Sequence, residues 1–146
     1  MGKRPKRQGF PVVVHVMLLR GEDVFLLRRA ATGFMDGYLC LPGGHQQAGE
    51  SVSEAARREC LEETGVEAGE LRPRFALPYR SGPHAGLNFV FAADAFAGEP
   101  AVAEPDLFDA CCWRPCHALP ERVTPWLIEA LAMPSGRWYH EFHWNR

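Results

Sequence analysis

Apolar residues fall in short blocks along this chain, and the period within the blocks turns helical near the middle and again near the end. Pro11-Val12-Val13-Val14-His15-Val16-Met17-Leu18-Leu19 is a β-branched run of strand character. It meets Val24-Phe25-Leu26-Leu27 across Gly21-Glu22-Asp23, which reads as a hairpin turn. Leu87-Asn88-Phe89-Val90-Phe91 and Ala110-Cys111-Cys112-Trp113 are two further short strands. Between these pairs lies a stretch of helical period, and Thr124-Pro125 predicts a last helix running to about Met133, a cap followed by a first-turn proline. Strands before and after one central helix, with a second helix late, predict an α/β sandwich around a mixed sheet.

The central helix carries its own start and stop. Ser51 followed by Glu54 is a capping box, and Gly65 after Thr64 accepts a left-handed C-terminal conformation, so the helix spans about 52–64. At about 100° per residue, Val52, Ala55, Ala56 and Cys60 share one half of the helix with Glu59, Glu62 and Glu63. The other half carries Glu54, Arg57 and Thr64, with Leu61 as the apolar exception. A solvated glutamate-rich face is the ordinary explanation for such a run. It places these carboxylates poorly, because they sit on or beside the half that faces the protein and burying unpaired charge is costly. Spacings of three and four set them side by side, where they repel unless a cation lies between them. Oxygen coordination of Mg²⁺, or of Mn²⁺, resolves the conflict. Pro42-Gly43-Gly44 and Gly49 precede the helix as a loop whose backbone can approach a ligand closely, and Gly43 can offer its carbonyl to a metal.

Composition narrows the class. A chain of 146 residues with 47% apolar content supports one good core, expected over 10–146, with 1–9 as a flexible basic tail. Lys3-Arg4-Pro5-Lys6-Arg7 is short and proline-broken, and a formal net charge of −2 argues against general nucleic-acid affinity. No apolar run is long enough to span a membrane, and residues 1–10 do not read as a signal peptide. Five cysteines, an odd number, preclude a complete disulfide framework and favour a reducing cytoplasm. Cys111, Cys112, Cys116 and His117 lack the paired spacing of a zinc site, and the cysteines read as core thiols. Trp138-Tyr139-His140-Glu141-Phe142-His143-Trp144 either folds back on the core or makes a subunit contact, the latter allowing a homodimer, with stacking on a nucleobase a further use.

The stretch from Gly44 to Val66 resembles the Nudix box of the Nudix hydrolases. Gly44, Glu50, Arg58, Glu59, Glu62, Glu63, Gly65 and Val66 match it at every specified spacing, and Cys60 takes the slot of a bulky aliphatic. Arg28-Arg29-Ala30 and Leu41-Pro42-Gly43-Gly44 lie upstream as in the MutT-like members. The resemblance implies an α/β/α sandwich around a mixed sheet and Mg²⁺-dependent hydrolysis of a nucleoside diphosphate linked to a group X. It also implies metal ligation by Glu59, Glu62, Glu63, the Gly43 carbonyl and, on a downstream loop, Glu104, with Glu99 a nearby competitor. Among the catalytic residues, Glu59 is the favoured base with Glu63 its rival, and Arg58 orients a box glutamate. Glu50 supports the loop, while Gly44 and Arg29 are the substrate-binding candidates. His84 and Asn88 lie where family members read substrate. Val123 replaces the asparagine with which oxidised-guanine cleaners read the base, putting that specificity in doubt. The X group stays open among nucleoside triphosphates, which are weakly favoured, nucleotide sugars, dinucleoside polyphosphates and ADP-ribose. A non-catalytic nucleotide-sensing module is the alternative function.

Overall fold

The computed structural model describes residues 2–143. The first apolar run forms β1 (Val12–Arg20), joined through a Gly21-Glu22 turn to β2 (Asp23–Arg29), with Leu19 opposite Val24 and Arg20 opposite Asp23. Downstream come β3 (Leu39–Cys40), β4 (Gly43–His45), α1 (Val52–Thr64), β5 (Glu67–Ala68), β6 (Arg72–Ser81), β7 (His84–Ala93), β8 (Phe96–Ala97), β9 (Phe108–Pro115) and α2 (Pro125–Leu131). The main sheet runs β3-β2-β1-β7-β6, with β4 also pairing β1 and β9 also pairing β2. It is mixed because β1 and β7 are parallel, in register from Val12 opposite Leu87 to Leu18 opposite Ala93.

Period-two alternation sorts the central strands into two cores. Val14, Val16 and Leu18 of β1, with Phe25 and Leu27 of β2, pack against Ala55, Ala56 and Cys60 of α1. Met17, Val24 and Leu26 point the other way, toward Leu127 and Ala130 of α2. One helix on each face completes the expected α/β/α sandwich.

α1 occupies the predicted span. The Ser51 hydroxyl accepts from the Glu54 N–H at 3.1 Å, and Gly65 closes the helix at φ 78°. α2 ends at Leu131, two residues short of the expected Met133. Thr124 precedes it without a side-chain cap, its buried hydroxyl having no partner among the described residues. Two predicted positions on α1 need correction. Thr64, assigned to the solvent half, is buried and donates to the Cys60 carbonyl at 2.6 Å, while Glu62 lies at the surface. The core-thiol reading fails for Cys111, which is exposed on β9, and holds only in part for Cys112 and Cys116, which are half-buried against the α2-side core.

Among the strands that the sequence reading did not give, β4 and β6 bear most on the site. β4 read as a glycine loop, yet it pairs antiparallel with β1, His15 opposite Gly43 and Val14 opposite Gly44. A Cβ at Gly43 would lie 2.2 Å from the Val14 carbonyl oxygen, so only glycine allows this approach. β6 carries Pro73, Pro78 and three arginines and looks unlike a strand, but it lies at the end of the sheet order, where proline is tolerated. The C-terminal stretch then folds back along it: Ala76 donates to the Trp138 carbonyl at 2.8 Å, and Arg80 to the Phe142 carbonyl at 3.1 Å. Phe142 is buried in the α2-side core, whereas Trp138 and Tyr139 stay exposed and Trp144 lies outside the described residues.

The strap along β6 therefore depends on one aromatic anchor. Phe142→Ala is expected to lower stability by about 3 kcal/mol, and Tyr139→Ala by under about 1 kcal/mol. Urea unfolding of both variants checks this, and equal losses would refute the anchor.

Candidate active site

Packing of α1 against β4 brings the box residues together. Gly44 faces the helix, and a Cβ placed there would lie 2.5 Å from the Glu59 carboxylate, so the glycine makes room for that group. Arg58 sits at the centre. Its Nε and Nη2 bond the two Glu50 oxygens at 2.9 and 2.8 Å, a bidentate pair. Nη1 reaches Glu59 at 2.9 Å and Glu62 at 3.2 Å, and Nη2 also donates to the His45 carbonyl at 3.1 Å. Glu50 further accepts from the Gln47 N–H at 2.7 Å, so it ties the loop to the helix. Arg58 and that N–H hold the Glu50 carboxyl down to about 2, while the same pairing raises the Arg58 guanidinium above its ordinary value.

The three helix glutamates differ in environment. Glu62 is half exposed and Glu59 is 15% exposed. Glu63 is buried, beyond the reach of Arg58, and among the described residues its carboxylate accepts one hydrogen bond, from the Gly43 N–H at 2.8 Å. Burial pushes the Glu63 carboxyl up to about 8; the Gly43 bond and Arg29 oppose this, and the charges of Glu59 and Glu104 add to it. Glu59 is also raised, chiefly by burial, against the pull of Arg58.

Glu104 arrives from a distant segment. The Ala103 and Ala101 N–H groups donate to the Glu63 and Thr64 carbonyls, each at 3.0 Å, and so dock residues 101–104 on the end of α1. The other acid of that loop goes elsewhere: Glu99 pairs with Arg20 at 2.6 Å, outside the cluster. The structure thus brings together Gly43, Gly44, Glu50, Arg58, Glu59, Glu62, Glu63 and Glu104. Arg29 stands at the border. It influences Glu63, but its donors go to the Phe34 carbonyl at 2.6 Å, Thr32 Oγ1 at 3.0 Å and Cys40 Sγ at 3.7 Å.

The chemistry of this donor set suits a hard cation. Three carboxylates share one fully engaged guanidinium: Arg58 offsets Glu50, Glu59 and Glu62 while leaving Glu63 without a hydrogen-bonded charged partner. Either a proton or a cation must compensate a carboxylate so placed, and oxygen ligands select Mg²⁺ or Mn²⁺ among cations. Among the described residues no three acidic, histidine or cysteine side chains converge on one point in advance. Arg58 draws Glu59 and Glu62 to itself, and Glu63 turns to the Gly43 N–H.

Sequence reasoning missed one half-buried polar pair. His15 Nε2 meets Asn88 Oδ1 at 2.9 Å, with the Trp126 ring 4.6 Å from the imidazole. Burial pushes the His15 imidazole down to about 4, more than the Asn88 bond restores. A histidine inside an otherwise apolar strand was the available signal. Farther along, a cleft of about 340 Å³ lies between Phe10, Pro11, His45, Tyr79, Pro83 and His84, next to the box loop. Val123 is fully buried and presents no base-reading group.

The NUDIX domain family matches residues 9–133. The chain is 34% identical over 105 residues to "NAD-capped RNA hydrolase NudC" of Pseudomonas aeruginosa, covering 72% of this chain and 36% of that protein. It is 33% identical over 104 residues to "Putative 8-oxo-dGTP diphosphatase 2" of Mycobacterium tuberculosis, covering 70% of this chain and 71% of that one. The crystal structure of a MutT NUDIX hydrolase from Burkholderia pseudomallei superposes at a TM-score of 0.78, with 28% identity over 85% of this chain and 97% of that one. The chain thus spans about a third of the length of the NudC relative. The domain match and the assembled box agree, and the chain belongs to the Nudix hydrolase family.

Proposed function

We propose that the protein hydrolyses the pyrophosphate linkage of a nucleoside diphosphate-X substrate with Mg²⁺, nucleoside triphosphates being the favoured class. Glu63 carries this reading: a buried carboxylate beside two others, outside the reach of Arg58, under a glycine turn that admits close approach of a ligand. Glu59, Glu62, Glu63, the Gly43 carbonyl and Glu104 would hold Mg²⁺, or Mn²⁺, which neutralises the pyrophosphate and lowers the pKa of a bound water.

The remaining work falls to the chain. Glu59 accepts the proton of the attacking water: Arg58 bonds its Oε1, and among the described residues its other oxygen has no donor. Glu63 is the rival base. Arg58 orients Glu59, and Glu50 in turn fixes the fork of Arg58. Gly44 leaves room for phosphate beside the Glu59 carboxylate. Arg29 needs to release its bonds to the 32–34 turn before it can contact substrate.

Specificity is drawn from the sheet face opposite α1, where His45, Tyr79, His84 and the His15–Asn88 pair lie near the box loop. The similarity to the 8-oxo-dGTP diphosphatase relative supports nucleoside triphosphates. Val123 supplies no side-chain donor or acceptor, which favours a base other than oxidised guanine. A dinucleotide such as the cap named for the NudC relative is the competing X class.

The glutamates give the first test. Glu62→Gln and Glu63→Gln are each expected to lose a hundredfold or more in kcat while retaining the folded far-ultraviolet spectrum, on the order of what a positioned acid or base contributes. Unchanged turnover in both variants sinks the hydrolase reading, and tight nucleotide binding without hydrolysis would favour a sensor. The adjacent glycines separate chemistry from stability. Gly43→Ala meets a backbone oxygen and is expected to cost about 1–3 kcal/mol, whereas Gly44→Ala meets a side-chain end and should cost less than about 1 kcal/mol while lowering kcat at least about tenfold. Identical unfolding curves for the two would contradict this geometry. Phosphate or pyrophosphate release across nucleoside triphosphates, nucleotide sugars, dinucleoside polyphosphates and ADP-ribose identifies X, and a higher kcat/KM for any class other than triphosphates overturns the favoured one.

A further inference from the structure

The loop that presents Glu104 is held from outside by three residues that the proposed chemistry does not use. Arg20, the last residue of β1, donates from both Nη atoms to Glu99, at 3.3 and 2.6 Å. The Trp113 indole N–H donates to the same carboxylate at 3.3 Å. The Arg20 guanidinium also lies over the Trp113 ring, 4.2 Å from its centroid. Trp113 is anchored in turn, edge-on to Phe25 at 5.5 Å and stacked with Phe96 at 6.0 Å. Immediately after Glu99, Pro100 is buried, and Ala101 and Ala103 dock on the last carbonyls of α1. A helix end leaves such carbonyls without intrahelical partners, so it accepts this loop but does not choose its register.

We infer that the Arg20–Glu99–Trp113 clasp is a positioning device: it sets the register of residues 100–104 on the end of α1 and so delivers the Glu104 carboxylate to the cation site. The inference rests on the assignment of Glu104 as a ligand in the proposed function. An isolated exposed ion pair contributes little, but this carboxylate takes two guanidinium donors and an indole donor, and the guanidinium has an aromatic face beneath it. A loop released from the clasp must be ordered each time a cation binds, which lowers affinity without unfolding the domain.

Charge separates this mechanism from a simple field effect. Removing Arg20 deletes a positive charge, which by Coulomb's law alone strengthens cation binding, whereas removing Glu99 weakens it. The clasp requires both to weaken it. The measurement is Mn²⁺ titration of the nucleotide-free protein, with free Mn²⁺ followed by electron paramagnetic resonance. Arg20→Ala and Glu99→Ala are each expected to weaken binding about three- to tenfold, with melting temperatures within about 4 °C of the wild type. Glu99→Gln, which keeps an acceptor, should lose less. In a Glu104→Gln background, Glu99→Ala should add no further loss. Tighter or unchanged binding by Arg20→Ala, or an undiminished Glu99→Ala penalty in that background, overturns the clasp while leaving the metal site standing. Unchanged binding by Glu104→Gln alone removes Glu104 as a ligand and the clasp with it, and a wild-type protein without saturable Mn²⁺ binding removes the site itself.

Discussion

Crowded carboxylates at the contact between α1 and β4 are the constraint around which this molecule is arranged. Packing one helix face on a sheet buries whatever that face carries, and here it carries acids as well as alanines. Arg58 makes the arrangement tolerable by dividing its donors among Glu50, Glu59 and Glu62, and by binding the His45 carbonyl it locks the loop to the helix. It does not reach Glu63. The residual demand for positive charge is therefore concentrated at one buried group, next to the turn where backbone can meet a ligand.

The glycines and the loops answer the same demand at shorter range. Gly43 lets β4 lie against the Val14 carbonyl, which brings its N–H to Glu63, and Gly44 vacates the volume that the Glu59 carboxylate occupies. The end of α1 receives the 101–104 segment through backbone bonds, so the same helix that carries three acids is also the seat of the loop that bears a fourth. Structure and chemistry share residues here, and stability at the α1–β4 contact and the placement of the acids are properties of one contact.

Much of this was legible before any coordinates. The hairpin of β1 and β2 and the α1 boundaries follow from local periodicity and capping, which act within a few residues and therefore appear in the sequence, whereas the division of the single expected core into two clusters, one on each face of the sheet, does not. What failed depended on distant partners. β6 forms despite its prolines because it is the outer strand of β7 and because the chain's own C-terminal stretch covers it. Thr64 turned inward, where its hydroxyl donates to the Cys60 carbonyl one helical turn back. The clustered acids also need less external charge than their spacing implies, because Arg58 meets part of that need from within the helix, which spacing alone could not reveal.

By itself the sequence determined the family, the fold class and the identity of the acids, because spacing along one helix and the box around it are local properties of the chain. Tertiary structure decided which of those acids is buried and without a charged partner, and which of two neighbouring loop glutamates turns inward. Glu99 and Glu104 lie five residues apart in the same acidic, proline-bearing loop, and no local rule separates them. Arg20 and Trp113, brought in from two strands, claim the first, while the segment before the second docks on the carbonyls at the end of α1. Electrostatic partnership depends on distance in space, and distance in space is what the fold supplies.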